Sequence, residues 1–309
     1  MIMVTGSTGF VGRHIVQAIA ASGSEVLATY RNSPRPEWSG SSHIKSCKVD
    51  SLDSGTNWID ALKGVDTVIH CAALAHGYDG DSWATNVEGT RVLAEQAAKN
   101  GVRRLVFLSS IAVYGSIPTG VLRENQELFA DSEYGNQKLE AEKALFEVAK
   151  DSGLEVVVVR PPLIYGDGAP GNFGLLRRIV GKGIPLPFAS IDNRRSFLSV
   201  FNLVDFILLC THHSGATGKA FVICDDETVS TSEFLQLVGE AIGKPARLFW
   251  LPNRFVYWIA LLTGKGRVYG QLYGNLEIEM SQAKTVLAWR PPFSMRESLA
   301  RSFSTGVIQ

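Results

Sequence analysis

A chain of 309 residues is long enough for one large α/β unit or for two lobes around a cleft. With 45% hydrophobic and 19% charged residues it cannot be a disordered segment. Its 30 basic residues balance 30 acidic ones, so it carries no electrostatic footprint for nucleic acid.

The first strand is expected at 2–5, inside MIMVTGSTGF. That start has neither a basic n-region nor a cleavable apolar stretch, which points to a cytoplasmic protein. Further strands are expected at 25–30, 44–49, 67–71, 104–108 and 155–159, several of them nearly continuous in Val and Ile, as strands covered on both faces are. Helical patterns at 11–21, 83–100 and 133–150 alternate with them. Such alternation predicts an α/β fold, a Rossmann-type doubly wound parallel sheet. After residue 160 Pro and Gly become frequent and the text reads as cleft-shaping loops. A helix at 201–212 and a strand at 219–224 are expected to rejoin the sheet. The division is therefore a dinucleotide-binding domain at 1–160, with 197–225 returning to it, and a mainly substrate-binding lobe at 161–309. The run FVYWIALL at 255–262 is far shorter than the ~20 residues of a membrane span. It reads as a buried helix or part of a subunit contact, with an interfacial membrane helix as the remaining alternative. The four cysteines, Cys47, Cys71, Cys210 and Cys224, form no CxxC pair and have no histidine at ligand spacing. They read as buried reduced thiols, and no metal is expected.

Between the first strand and first helix stands TGSTGFVG at 5–12. Gly6 suits the tight turn, Gly9 lets backbone approach a pyrophosphate, and Gly12 lets helix pack on strand. The helix N-terminus offers free N–H groups and partial positive charge to phosphates. NAD or NADP is thus the expected cofactor. The second strand ends in Tyr30-Arg31-Asn32 with no acid for a ribose 2′-OH, and Arg31 stands where a 2′-phosphate would lie. This leans towards NADP or mixed use. Asp50, ending the third strand, is placed to reach the adenine edge.

Tyr134 and Lys138 begin the helix at 133–150, four residues apart and so on one face. A tyrosine with a pKa of ~10 must be stabilised as phenolate by ~4 kcal/mol to act as a base near pH 7. An ammonium one turn away, together with a positive nicotinamide ring, can contribute that. A YxxxK spacing alone is common. Its partner here is Ser110 in LSSIAVYG at 108–115, at the carboxyl edge of the sheet where ligands bind. Ser109 reads as a turn residue, and Tyr114, with no lysine four residues on, as a packing residue.

Together TGSTGFVG, the His70-Cys71-Ala72-Ala73 strand end, Asn86-Val87-Glu88-Gly89-Thr90, LSSIAVYG and YGNQK at 134–138 resemble the extended short-chain dehydrogenase/reductase family, above all its nucleotide-sugar epimerases and 4-keto-sugar reductases. The resemblance implies Tyr134 as acid/base, Lys138 on the nicotinamide ribose, and Ser110 orienting the substrate oxygen. It implies cofactor contacts from Thr8, Phe10, Val11, Ser51, Ala72, Ala73, Asn86 and Pro161, and substrate contacts from Asn172 and Arg195. The arginine would fork onto a nucleotide diphosphate. Homodimers paired through two helices are usual in that family, here 83–100 and 133–150. The sequence departs from the family's pattern at Leu163 and Ser196, which leaves the sugar open. The first functional expectation is an NAD(P)-dependent C4 epimerase of a UDP-hexose or UDP-N-acetylhexosamine. The second is an NADPH-dependent UDP-4-keto-sugar reductase, and a remote third is a non-catalytic dinucleotide sensor. A dehydratase is disfavoured because Ile111 and Ala112, not an acidic pair, follow Ser110.

Overall fold

The computed structural model describes residues 1–74, 81–115 and 120–303. The last six residues of the expected 161–309 lobe therefore lie outside the described residues. At the centre is a seven-stranded, wholly parallel sheet. Its strands are β1 (Ile2–Thr5), β2 (Val26–Tyr30), β3 (Ile44–Lys48), β4 (Thr67–His70), β5 (Arg104–Leu108), β6 (Glu155–Arg160) and β7 (Lys219–Val222). In space they run β7-β6-β5-β4-β1-β2-β3. The order reverses between β1 and β4, and a crevice opens there at the carboxyl ends of the strands. The expected strands are all present. The stretch at 219–224 rejoins the sheet as β7 beside β6, as anticipated.

Alternation along each strand explains both covered faces. Val4, Val106, Val157 and Val159 point towards Ile15, Val16 and Ile19 of α1 (Phe10–Ala21) and towards Phe206 and Ile207 of α5 (Val200–His212). Met3, Leu105, Phe107, Val156 and Val158 face Leu93 and Ala97 of α2 (Gly89–Lys99) and Leu145 and Val148 of α3 (Glu133–Ser152). Each such side chain taken from water contributes about 2 kcal/mol. Edge strand β3, reading IKSCK, has a partner on one side only and is correspondingly polar. The helix expected at 83–100 starts with a wide π-type turn at Ala84–Glu88 before α2 proper.

The second lobe is held by α4 (Gly171–Gly181), α6 (Thr231–Ala241), and a terminal helix at Met295–Phe303. Ser230 and Glu233 form a reciprocal cap on α6. Tyr165, Phe173, Phe197, Phe234, Met295 and Leu299 make its core, with Phe197 and Phe234 stacked at 4.0 Å. The segment 255–262 is indeed helical, within α7 (Asn253–Leu262), but it is not buried. Only Ala260 is buried, while Trp258 is 60% and Leu262 85% exposed. The helix α8 (Gly266–Tyr273) follows directly. All four cysteines are free thiols, Cys210 and Cys224 buried and Cys47 and Cys71 partly so. No helix among the described residues is long and apolar enough to cross a membrane.

Candidate active site

The glycine loop lies at the strand reversal. Gly6 adopts φ +63°, and a Cβ there would stand 2.7 Å from the backbone nitrogen of Ala72. A Cβ on Gly12 would collide with the carbonyl of Gly6, so α1 reaches the strand only because position 12 is bare. Gly9 is the N-cap of α1 and supplies no side-chain cap, which leaves the first-turn N–H groups free for an anion. A cavity of about 250 Å³ opens above this turn and is lined by Gly6, Thr8, Gly9, Arg31, Ser51, Ala72 and Ala73. The bare backbone and uncapped helix end suit a dinucleotide pyrophosphate.

Other expected cofactor residues sit differently. Val11 is a core residue, and Phe10 packs edge-on against His14. Asn86 is buried and braces the loop after β4: its Oδ1 accepts from Leu74 N at 2.8 Å, and its Nδ2 donates to Leu74 O and to Gln137 Oε1. Pro161 is buried and accepts from Ile111 N through its carbonyl at 3.1 Å. Asp50 does not turn to the cavity. Its carboxylate is exposed and pairs with Lys48 at 2.5 Å, because i and i+2 on an extended chain share a side. Trp58, Leu52 and Thr85 line the cavity without any local sequence signal for it. Arg35 was not foreseen either; it donates to the carbonyl of Thr8 at 3.0 and 3.3 Å and holds the glycine loop from outside.

A second cavity, about 470 Å³, brings together Ser110, Tyr134, Asn172 and Arg195 from four separate elements. Gly135 makes the approach possible: a Cβ there would strike the carbonyl of Ala112, so the start of α3 lies directly against the Ser110 loop. Ser132 caps α3 by accepting from Gly135 N at 3.1 Å. Ser109 turns away from the cavity to buried Glu142, whose carboxylate also takes Arg160 at 2.6 Å. Arg160 in turn donates to the Tyr114 hydroxyl at 2.6 Å, so Tyr114 belongs to the packing beneath the site. Ser110 is left at the cavity wall, with its Oγ accepting from Ala112 N at 3.1 Å.

Lys138 lies below the cavity wall. Its ammonium donates to Leu108 O at 2.8 Å and sits 4.5 Å from the Phe107 ring and 5.9 Å from the Tyr134 ring centre. Burial pushes its pKa down to about 8, against the opposing pull of Cys71 and Glu142. Burial pushes the Tyr134 phenol up to about 12. The lowered phenol pKa expected from helical spacing is therefore not a property of the chain by itself, because the ammonium is bonded to a carbonyl and desolvation dominates. His70, its pKa held near 3 by burial, bridges Thr5 and Thr90 and is a neutral structural group.

Arg195 is half-buried in the cavity wall and donates to Gly274 O at 2.7 Å. Among the described residues no carboxylate pairs with it, while its neighbour Arg194 takes Glu277. Burial lowers its pKa to about 10, so it remains a cation at neutral pH, aimed into a cavity with donors to spare. Asn172, in the first turn of α4, donates to Gln271 Oε1 at 3.3 Å across the cavity mouth.

Fold and site together define an NAD(P)-dependent nucleotide-sugar epimerase/oxidoreductase. The family model for the NAD dependent epimerase/dehydratase family matches residues 2–224, and the chain belongs to that family. It is 35% identical to a UDP-glucose 4-epimerase of Vibrio cholerae over 97% of this chain and 94% of that protein. It is 28% identical to a dTDP-4-dehydro-6-deoxy-D-allose reductase of a Streptomyces species, over 82% of this chain and 84% of that one. The solved structure of MoeE5 with UDP-glucuronic acid and NAD superposes with a TM-score of 0.79 at 27% identity, covering 98% of this chain and 97% of the other.

Proposed function

We propose that the chain is a C4 epimerase of UDP-hexoses or UDP-N-acetylhexosamines, a cytoplasmic homodimer paired through α2 and α3. The observation that carries this reading is the cavity shared by Ser110, Tyr134, Asn172 and Arg195, beside a glycine loop shaped for a dinucleotide. The Arg195 guanidinium, which meets no carboxylate among the described residues, matches a sugar diphosphate, and the Tyr134 and Ser110 hydroxyls would meet the sugar end. When bound, the dinucleotide supplies the hydride acceptor and, while oxidised, a positive charge. Gly6 and Gly9 would receive its pyrophosphate, Gly12 would keep the helix close enough for its N-terminus to face it, and Lys138 would hold its ribose. Tyr134 takes the proton from the sugar O4 as C4 loses hydride, with Ser110 fixing the oxygen. After the 4-keto sugar has turned, Tyr134 returns the proton as hydride arrives on the other face.

One observation favours a second reading, an NADPH-dependent 4-keto-sugar reductase. Arg31 lines the cofactor cavity, and no carboxylate among the described residues pairs with it. Incubation with UDP-glucose and UDP-N-acetylglucosamine, read by NMR, tests the first reading; UDP-4-keto sugars with NADPH test the second. Tyr134→Phe is expected to cut turnover ~100-fold or more with dinucleotide affinity unchanged. Dinucleotide binding with no conversion of either substrate set sinks both readings in favour of a non-catalytic sensor.

A further inference from the structure

The helix α7 presents Phe255, Trp258, Ile259 and Leu262 at i, i+3, i+4 and i+7, which places them on one stripe. These four are 57%, 60%, 45% and 85% exposed. Such a stripe normally faces a core; this one faces outwards, and in α7 only Ala260 is buried, with Val256 half-buried. Just before it, Phe249 and Trp250 are exposed as well, and Ile184 is exposed on the strand-like segment bonded alongside them through Leu186 and Phe249. Phe249, Trp250 and Ile184 thus add exposed apolar side chains to those of α7, and such a concentration marks an interaction surface.

Charge identifies the occupant. From residue 241 to 276 the chain has five basic residues, Lys244, Arg247, Arg254, Lys265 and Arg267, and no acidic one. From 168 to 191 it has Arg177, Arg178 and Lys182, again without an acid. Arg178, Lys182, Lys244, Arg247, Arg254 and Lys265 are exposed, and none stands within salt-bridge distance of a carboxylate among the described residues. A second copy of this face would oppose like charge with like charge across a two-fold axis. An anionic bilayer surface answers both features: acyl chains take the stripe, headgroup phosphates take the cations, and tryptophan rings prefer the boundary. A ten-residue helix is about 15 Å long and lies in that boundary rather than spanning it.

We propose that α7, with Phe249 and Trp250, docks the protein on the surface of an anionic lipid bilayer. The Tyr257 ring meets that of Tyr269 in α8 at 5.3 Å, and α8 supplies Gly270, Gln271 and Leu272 to the wall of the substrate cavity. Docking therefore brings the rim of the active-site cavity to the membrane.

The full chain would be sedimented with vesicles of phosphatidylcholine alone and of phosphatidylcholine mixed with phosphatidylglycerol. Binding is expected to the anionic vesicles, to weaken with salt, and to shift tryptophan emission to the blue. The double variant Phe255→Ser/Trp258→Ser is expected to lose roughly ten-fold or more of that binding. Its turnover of a soluble nucleotide sugar should stay that of the parent, which shows it folded. Lys244→Gln/Arg254→Gln should lose the preference for anionic vesicles. A parent chain that stays in the supernatant with both vesicle types overturns the proposal. So does a double variant that sediments like the parent, or one whose only change is the loss of a dimer in analytical ultracentrifugation. These outcomes are independent of which sugar the enzyme turns over.

Discussion

Replacing Gly135 by alanine places a methyl group inside the carbonyl of Ala112, and 2.9 Å from Ser132 Oγ, where ~3.5 Å is a relaxed contact. The collision with Ala112 is with backbone, which no rotamer change relieves, and turning Ser132 aside gives up the cap of α3. The first turn of α3 must back away from the Ser110 loop by about 1 Å, carrying Tyr134 with it. Overpacking of this kind costs about 1–3 kcal/mol, and a weakened Ser132 cap about 1 more. Alanine's better helix propensity offsets up to about 1 kcal/mol, leaving a net loss of about 1–3. The catalytic effect is larger than the effect on stability, because a ~1 Å misplacement of a reacting group lowers turnover about 100-fold. The variant would be assayed for nucleotide-sugar turnover at saturating dinucleotide, for dinucleotide affinity, and for its urea midpoint. Unchanged dinucleotide affinity with turnover down two orders of magnitude is expected. Turnover within about two-fold of the parent would refute the claim that this contact registers Tyr134 against Ser110.

Arg195→Met removes the unpaired cation while keeping apolar bulk. A charge-assisted bond is worth about 1.5–3 kcal/mol, so KM for the nucleotide sugar should rise about 10- to 100-fold, with kcat and dinucleotide affinity little changed. An unchanged KM removes Arg195 from the diphosphate. For Lys138→Met the sign follows from burial. The lysine's pKa falls from 10.5 to about 8 on folding, so between those values the unfolded chain holds more protons, and its contribution to stability rises with pH. Below pH 8 the folded protein carries a desolvated ammonium at a cost of about 3 kcal/mol. The dinucleotide-free variant should therefore gain most over the parent in urea melts near pH 7, and the gain should shrink as pH approaches 10. A gain independent of pH would show that the ammonium is not desolvated.

The elements that could be read from sequence alone are those whose neighbours are implied by composition. The runs IMV at 2–4 and LVFL at 105–108 are apolar without a break, as strands covered on both faces are, and both strands occupy the expected residues. The glycine loop was legible for a related reason, since glycine at 6 and 12 records contacts that no side chain permits. Gly135 records a contact of the same kind, with Ala112, but a single glycine inside a helical stretch belongs to no spaced set that would mark it. Asp50 and the 255–262 helix mark the opposite limit. Spacing put Asp50 at the right strand end but said nothing about Lys48 claiming its carboxylate. Apolar character at 255–262 shows that a face needs cover, but not whether the core, another subunit or a membrane surface supplies it. Tyr134 and Lys138 combine both cases. Helical spacing put the two groups near one another, yet the phenol stands near 12 and the ammonium near 8, each shifted by burial towards its neutral form. A base competent near pH 7 thus needs positive charge brought in with the cofactor. Under the acid/base role proposed for Tyr134, proton transfer would then become available only with the dinucleotide bound.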